Sequence, residues 1–219
     1  MFRSTGEMMA RPKFPNTIGY FGDSFCADRT EHSWTNILAD KLGADIVNRG
    51  KAGSSIWTAI LDFHNLRNAQ ELPDVCIFCW TNPHRLYHPT KYLNLSTLPE
   101  DSNLADAVRK YFTHLWFNNK EFLNYKYVLE YFDQNLLNDI ECVQYQVFSF
   151  LPADANNDFE INLHNNFIKD FSLLNFSGFT LEDHCKSIHD DKLINHMSIE
   201  KNIELAKYFY EKIKKHDKA

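Results

Sequence analysis

The sequence predicts an α/β fold, a three-layer sandwich in which a parallel sheet of about five strands carries helices on both faces. Three observations carry this. Between Thr17 and Trp80, short apolar runs alternate with helix-period segments in the order strand, helix, strand, helix, strand, joined by short links. A polar, turn-forming cluster follows each of these strands: Gly22-Asp23-Ser24, Asn48 to Ser55, and Thr81-Asn82-Pro83. The last segment, Ser198 to Lys215, has the period of an amphipathic helix that can cover one face of such a sheet.

The elements follow in order. Thr17 to Phe21 is a short apolar run that stops at Gly22 and reads as the first strand. Trp34, Ile37, Leu38 and Leu42 recur at helical spacing, and Gly43 is placed to end that helix. Ala44 to Val47 is a second strand, and a helix starts at Ser54 or Ser55 and runs toward Asn68. Pro73 and Asp74 introduce the third strand, Val75 to Trp80. Right-handed crossovers are expected between these parallel strands.

From Ser102 to about Leu137 the pattern is helical, with Leu104, Val108, Phe112 and Leu115 three or four apart. Asp101 or Ser102 can cap its start, and Asn118-Asn119 divides it into two helices. Glu141 to Leu151 contains Val143, Tyr145, Val147 and Phe148 and reads as a fourth strand. Residues 152–190 are rich in Asn and Asp and lack a clear period, so they read as a long loop. In the final helix Ile199, Ile203, Ala206, Phe209 (or Tyr210) and Ile213 form the expected apolar stripe. The whole reads as one domain over residues 1–219, with a helical insertion around 84–137.

Composition narrows the function. The 219 residues are 44% hydrophobic and 24% charged, ordinary values for a globular protein. A net charge of −6 without a long basic run argues against a nucleic-acid backbone as partner. No apolar run reaches about 18 residues, so no integral membrane segment is expected, and charges interrupt Met1 to Pro15 before a signal-type apolar block forms. A cytoplasmic or otherwise soluble location is therefore expected, and oligomeric state is left open. The five cysteines are odd in number and scattered, unlike a disulfide framework. Cys76 and Cys79 form a C-x-x-C, but on a strand residues three apart face opposite ways, so they are expected to be separate core thiols.

In a parallel α/β sheet, ligands bind beyond the carboxyl ends of the strands. The three polar clusters therefore converge on one edge, whatever motif they contain. On these residues the chain resembles the SGNH (GDSL-like) hydrolases. Gly22-Asp23-Ser24-Phe25 is similar to the Gly-Asp-Ser block, with Phe25 where Leu is common. Asn48 to Ser55 resembles the second block, and Asn82 matches the asparagine of the third, although Gly-x-Asn-Asp has become Trp-Thr-Asn-Pro-His-Arg. Asn195-His196-Met197-Ser198 resembles the histidine signal before the last helix.

The resemblance implies a flavodoxin-like sheet, an ester hydrolase with no cofactor and no metal, and an acyl-enzyme on Ser24. It makes His196 the base and gives the oxyanion hole to the Ser24 and Gly53 amides and the Asn82 side chain. The chemistry suits these types. A serine hydroxyl needs a base within hydrogen-bond reach, and a neutral imidazole is available near pH 7. Preorganised donors stabilise the charge of the tetrahedral intermediate. The family's orienting Asp stands three residues before the histidine, where this chain has Leu193. Asp191 is preferred as the acid and Asp190 is the alternate; Asp183, or a dyad without an acid, stays open.

His84 and Arg85, just after Asn82, are candidate substrate-binding residues at the pocket rim. Asp183, His184, His189, Asp190 and Asp191 are the rival cluster for a metal, at a spacing that fits no established ligand motif. The expected substrate is a small-molecule or glycan ester, either a carbohydrate O-acetyl or a short-chain acyl group. Two alternatives use the same residues: an acyltransferase, and a glycan-binding protein that has lost catalysis.

Overall fold

The computed structural model describes residues 15–89, 93, 98–138, 140–150, 161–178 and 197–216. Five strands form one all-parallel sheet in the order β2-β1-β3-β4-β5. They are β1 (Thr17–Gly22), β2 (Asp45–Asn48), β3 (Val75–Trp80), β4 (Val143–Phe148) and β5 (Phe167–Ile168). This is the doubly wound order of flavodoxin-like sheets, whose switch point lies between the first and third strands. The fold is the one the sequence predicts.

Every residue of β3 is buried, as expected of a central strand covered on both faces. Its alternation sorts the core. Val75, Ile77 and Cys79 face one apolar cluster with Leu38, Leu205 and Phe209. Cys76, Phe78 and Trp80 face the other, with Ile60, Phe63 and Phe132. Cys76 and Cys79 therefore lie on opposite faces, as the strand period requires.

The first face is covered by α1 (Trp34–Leu42) and the last helix, α6 (Ile199–His216), and the second by α2 (Ile56–Ala69) and α4 (Asn118–Phe132). Ser33 caps α1 by accepting from the Asn36 amide, and Gly43 ends it at φ 66°. Gln70 takes the same left-handed role after α2 at φ 60°, without glycine's freedom. Asp74 fastens the starts of β1 and β3. Its Oδ2 accepts from the Asn16 and Thr17 amides at 2.7 and 3.0 Å, and its own amide donates to Thr17 Oγ1.

The insertion after β3 forms α3 (Ser102–His114), capped by Asp101, then α4, which continues into a π-helical turn at Asp133–Leu137. The two helices part at Leu115 to Phe117, and Asn118 opens the second. Two expectations are corrected. Residues 152–190 are not all loop, since β5 and a short helix, α5 (Leu173–Ser177), lie among them. In α6 the packed face is Asn202, Leu205, Ala206, Phe209 and Ile213, whereas Ile199 and Ile203 are about half exposed. A polar residue heads that stripe because Asn202 Oδ1 accepts from the Trp34 amide at 2.8 Å. No described helix is long and apolar enough to cross a membrane.

Candidate active site

Ser24, separated from the end of β1 by Asp23 alone, starts a one-turn 3₁₀ helix, Ser24–Cys26, at the carboxyl edge of the sheet. Asp23 caps this turn, its Oδ1 accepting from the Phe25 amide at 3.2 Å. Oδ1 also accepts from Ser149 Oγ at 2.9 Å, just past the end of β4. The carboxylate is fully buried, and Arg85 Nη1 stands 3.3 Å from Oδ2. Oδ2 has no hydrogen bond of good geometry among the described residues, so the Arg85 contact is mainly coulombic. A buried carboxylate needs such a counter-charge.

The loop after β2 folds back over the same turn. Lys51 N and Ser54 Oγ both donate to the Gly22 carbonyl, each at 2.9 Å. Gly50 sits where a Cβ would fall 2.8 Å from the Asp23 carbonyl oxygen and would also collide with Cys26 Sγ. Gly53 adopts φ 73°, a conformation that side chains disfavour. The two glycines are thus required for different reasons, one for close approach and the other for the turn.

Asn82 follows β3, the strand paired with β1 across the switch point. Its Oδ1 accepts from the His84 amide at 2.8 Å and lies 2.6 Å from His84 Nδ1. Arg85 then ties the three loops together. Its amide donates to Asn82 O at 3.3 Å, its Nη1 donates to Ser54 O at 3.3 Å, and the same nitrogen faces Asp23. The guanidinium also lies over the Phe150 ring, 5.3 Å from its centroid. Ser24, the loop carrying Gly53, and the Asn82 turn therefore meet at one edge.

His196, Asp191 and Asp190 lie outside the described residues, as do Asp183, His184 and His189. Among the described residues no cluster of three or more His, Cys, Asp or Glu is disposed to hold a metal ion.

Two hollows flank residues 83–89. One, of about 540 Å³, runs between α2 and α4 from Pro83 and Arg85, with the partly exposed Trp57, Tyr127 and Tyr131 on its walls. The other, of about 280 Å³, is lined by Gly53, Ser54, Ser55 and the segment Leu86 to Pro89. Ser24 is 7% exposed and lines neither.

Several residues of this neighbourhood carried no sequence signal of a role. Ser149 and Phe150 reach it from the end of β4. Tyr125 donates its hydroxyl to Thr81 O at 2.7 Å, and burial pushes its pKa well above the usual phenol value. Trp116 packs on the His84 ring.

No family model and no curated protein matches the sequence. Among solved structures, one described as a GDSL-like lipase from Parabacteroides merdae matches at 15% identity, covering 90% of this chain and 74% of that one. Its TM-score of 0.26 marks a slight likeness.

Proposed function

We propose that the chain is a serine ester hydrolase of the SGNH type, acting through an acyl-enzyme on Ser24. The observation that carries this reading is the placement of Ser24 and Asn82 on either side of the switch point between β1 and β3, with the Gly50–Ser54 loop docked on Gly22. In such sheets this crevice is where ligands bind. Ser24 Oγ attacks the acyl carbon while His196 takes its proton, with Asp191 as the preferred orienting acid. The Ser24 and Gly53 amides and Asn82 Nδ2 hold the developing oxyanion, each donor contributing roughly 3 kcal/mol. The imidazolium protonates the leaving alcohol, and water then releases the acid by the reverse sequence. The substrate is a carboxylic ester, either a carbohydrate O-acetyl group or a short-chain acyl ester.

The test compares p-nitrophenyl acetate and butyrate turnover by the parent and by Ser24→Ala, both verified as folded by circular dichroism. Turnover in the parent that is lost in the variant is expected. Equal turnover in both would refute Ser24 as nucleophile. Acetylated oligosaccharides are the second panel, and ligand retention by Ser24→Ala without parent turnover would favour the glycan-binding alternative.

A further inference from the structure

The third polar cluster departs from Gly-x-Asn-Asp, and the departing residues do something specific with Asn82. Asn82 Oδ1 receives the His84 backbone N–H at 2.8 Å. A backbone N–H only donates, so this bond identifies the Asn82 atom facing it as oxygen rather than nitrogen. The same oxygen lies 2.6 Å from His84 Nδ1. An amide oxygen only accepts, so that ring nitrogen must carry its hydrogen. Two donors thus occupy both lone pairs of Oδ1, and the Nδ2 hydrogens become the end of the amide left to act on a ligand.

The imidazole is itself held. Trp116 packs on it in a tilted arrangement, with ring centroids 4.7 Å apart and planes at 30°, and Phe122 meets it edge-on at 5.9 Å. Trp116 also packs against Phe112 of α3 at 5.1 Å. The link between α3 and α4 therefore grips the ring that grips Asn82.

We propose that His84, in its Nδ1–H tautomer and clamped by Trp116, is the positioning residue that orients the Asn82 amide for the oxyanion. This rests on the ester-hydrolase reading and deepens it. An oxyanion donor works only if fixed before the charge develops. A displacement of about 1 Å at such a group can cost on the order of a hundredfold in rate. The link between α3 and α4 thereby acts on the reaction through the Trp116–His84–Asn82 contacts. Protonation of His84 leaves the hold intact, because the imidazolium keeps its Nδ1 hydrogen.

The experiment has an arm that needs no activity. In ¹⁵N-labelled parent protein, above the pH at which His84 titrates, its ring nitrogens are expected to report the Nδ1–H tautomer, assigned by loss of the signal in His84→Gln. Asn82→Ala should shift the population toward Nε2–H. An Nε2–H ring in the parent, or a tautomer indifferent to Asn82→Ala, overturns the proposal. In the kinetic arm, His84→Ala should lower kcat about tenfold to a hundredfold with KM within about twofold. His84→Asn, which keeps a donor near the Nδ1 position, should recover part of the loss. In an Asn82→Ala background His84→Ala should add nothing, and an equal loss in both backgrounds overturns the proposal as a merely structural effect. A folded parent without ester turnover refutes the hydrolase reading, and the tautomer arm then decides the Asn82–His84 relationship by itself.

Discussion

Asp23 and Arg85 form an ion pair at 3.3 Å whose carboxylate is fully buried and whose guanidinium side chain is 12% exposed. It joins the residue before Ser24 to the loop after β3. Breaking one side of a buried pair strands the other charge in a poorly solvated place. Asp23→Ala and Arg85→Met are each expected to destabilise by about 3–5 kcal/mol, read from urea unfolding. Arg85→Lys should not restore the parent value, since the fork that meets Asp23 and Ser54 O together is lost. A change below about 1 kcal/mol in both single variants would show that the pair does not hold this edge.

Alkaline pH should unfold the protein together with its buried phenols. Tyr20 and Tyr125 are raised well above the ordinary value, chiefly by burial. Each donates its hydroxyl to a carbonyl, Thr35 O and Thr81 O, both at 2.7 Å. The folded state therefore keeps protons that the unfolded chain releases near pH 10, so stability is whole below about pH 10 and falls as pH rises above it. Phenolate absorbance and circular dichroism should change together for these two tyrosines. Ionisation of Tyr20 or Tyr125 with the fold intact would contradict this.

Thiol reactivity should separate one cysteine from three. Cys142 Sγ lies 3.6 Å from Cys76 Sγ and is partly exposed. The hydrogen bond from Cys76 holds the Cys142 thiol below its usual pKa, while that bond and burial raise Cys76. Cys26, Cys76 and Cys79 are buried. Iodoacetamide near neutral pH should alkylate Cys142 first among these four, the others reacting only in denaturant, as read by peptide mass spectrometry. Labelling of Cys76 before Cys142 would reverse the assignment.

Paired substitutions test the proposed orienting acid. Asp191→Ala should cost more kcat than Asp190→Ala, and the reverse order moves the acid by one position. Activity should also decline below about pH 6.5 as His196 takes a proton, and a rate unchanged well below pH 5 would remove histidine as the base.

The regular elements of this fold are legible because each has a local cause. Gly43 ends α1, and Pro73-Asp74 starts β3, in the sequence as in the structure. β5 is different. Two residues held beside β4 carry no period of their own, so nothing in Phe167-Ile168 announces a strand. The α6 stripe misleads for another reason: hydropathy selects Ile199 and Ile203, whereas packing selects Asn202, whose amide serves a helix 168 residues earlier in the chain. At the site, Ser24 and Asn82 are legible because turn chemistry follows apolar strands. Arg85 reads as a rim residue in sequence, yet most of its side chain is buried against Asp23 and Ser54. The signal that leads there is the acid at position 23, which needs a cation once the fold buries it.

The Trp34 indole donates to Phe25 O at 2.6 Å, and its backbone amide donates to Asn202. The turn that carries Ser24 is thus braced, through Trp34, by α6, an element far from it in sequence. A nascent chain that has emerged as far as β4 already contains Ser24, Gly53 and Asn82, but the brace behind the serine is missing until α6 arrives. Chain order therefore imposes a sequence of events: the strands come first and α6 completes the brace behind Ser24, so a chain stalled before α6 lacks that support.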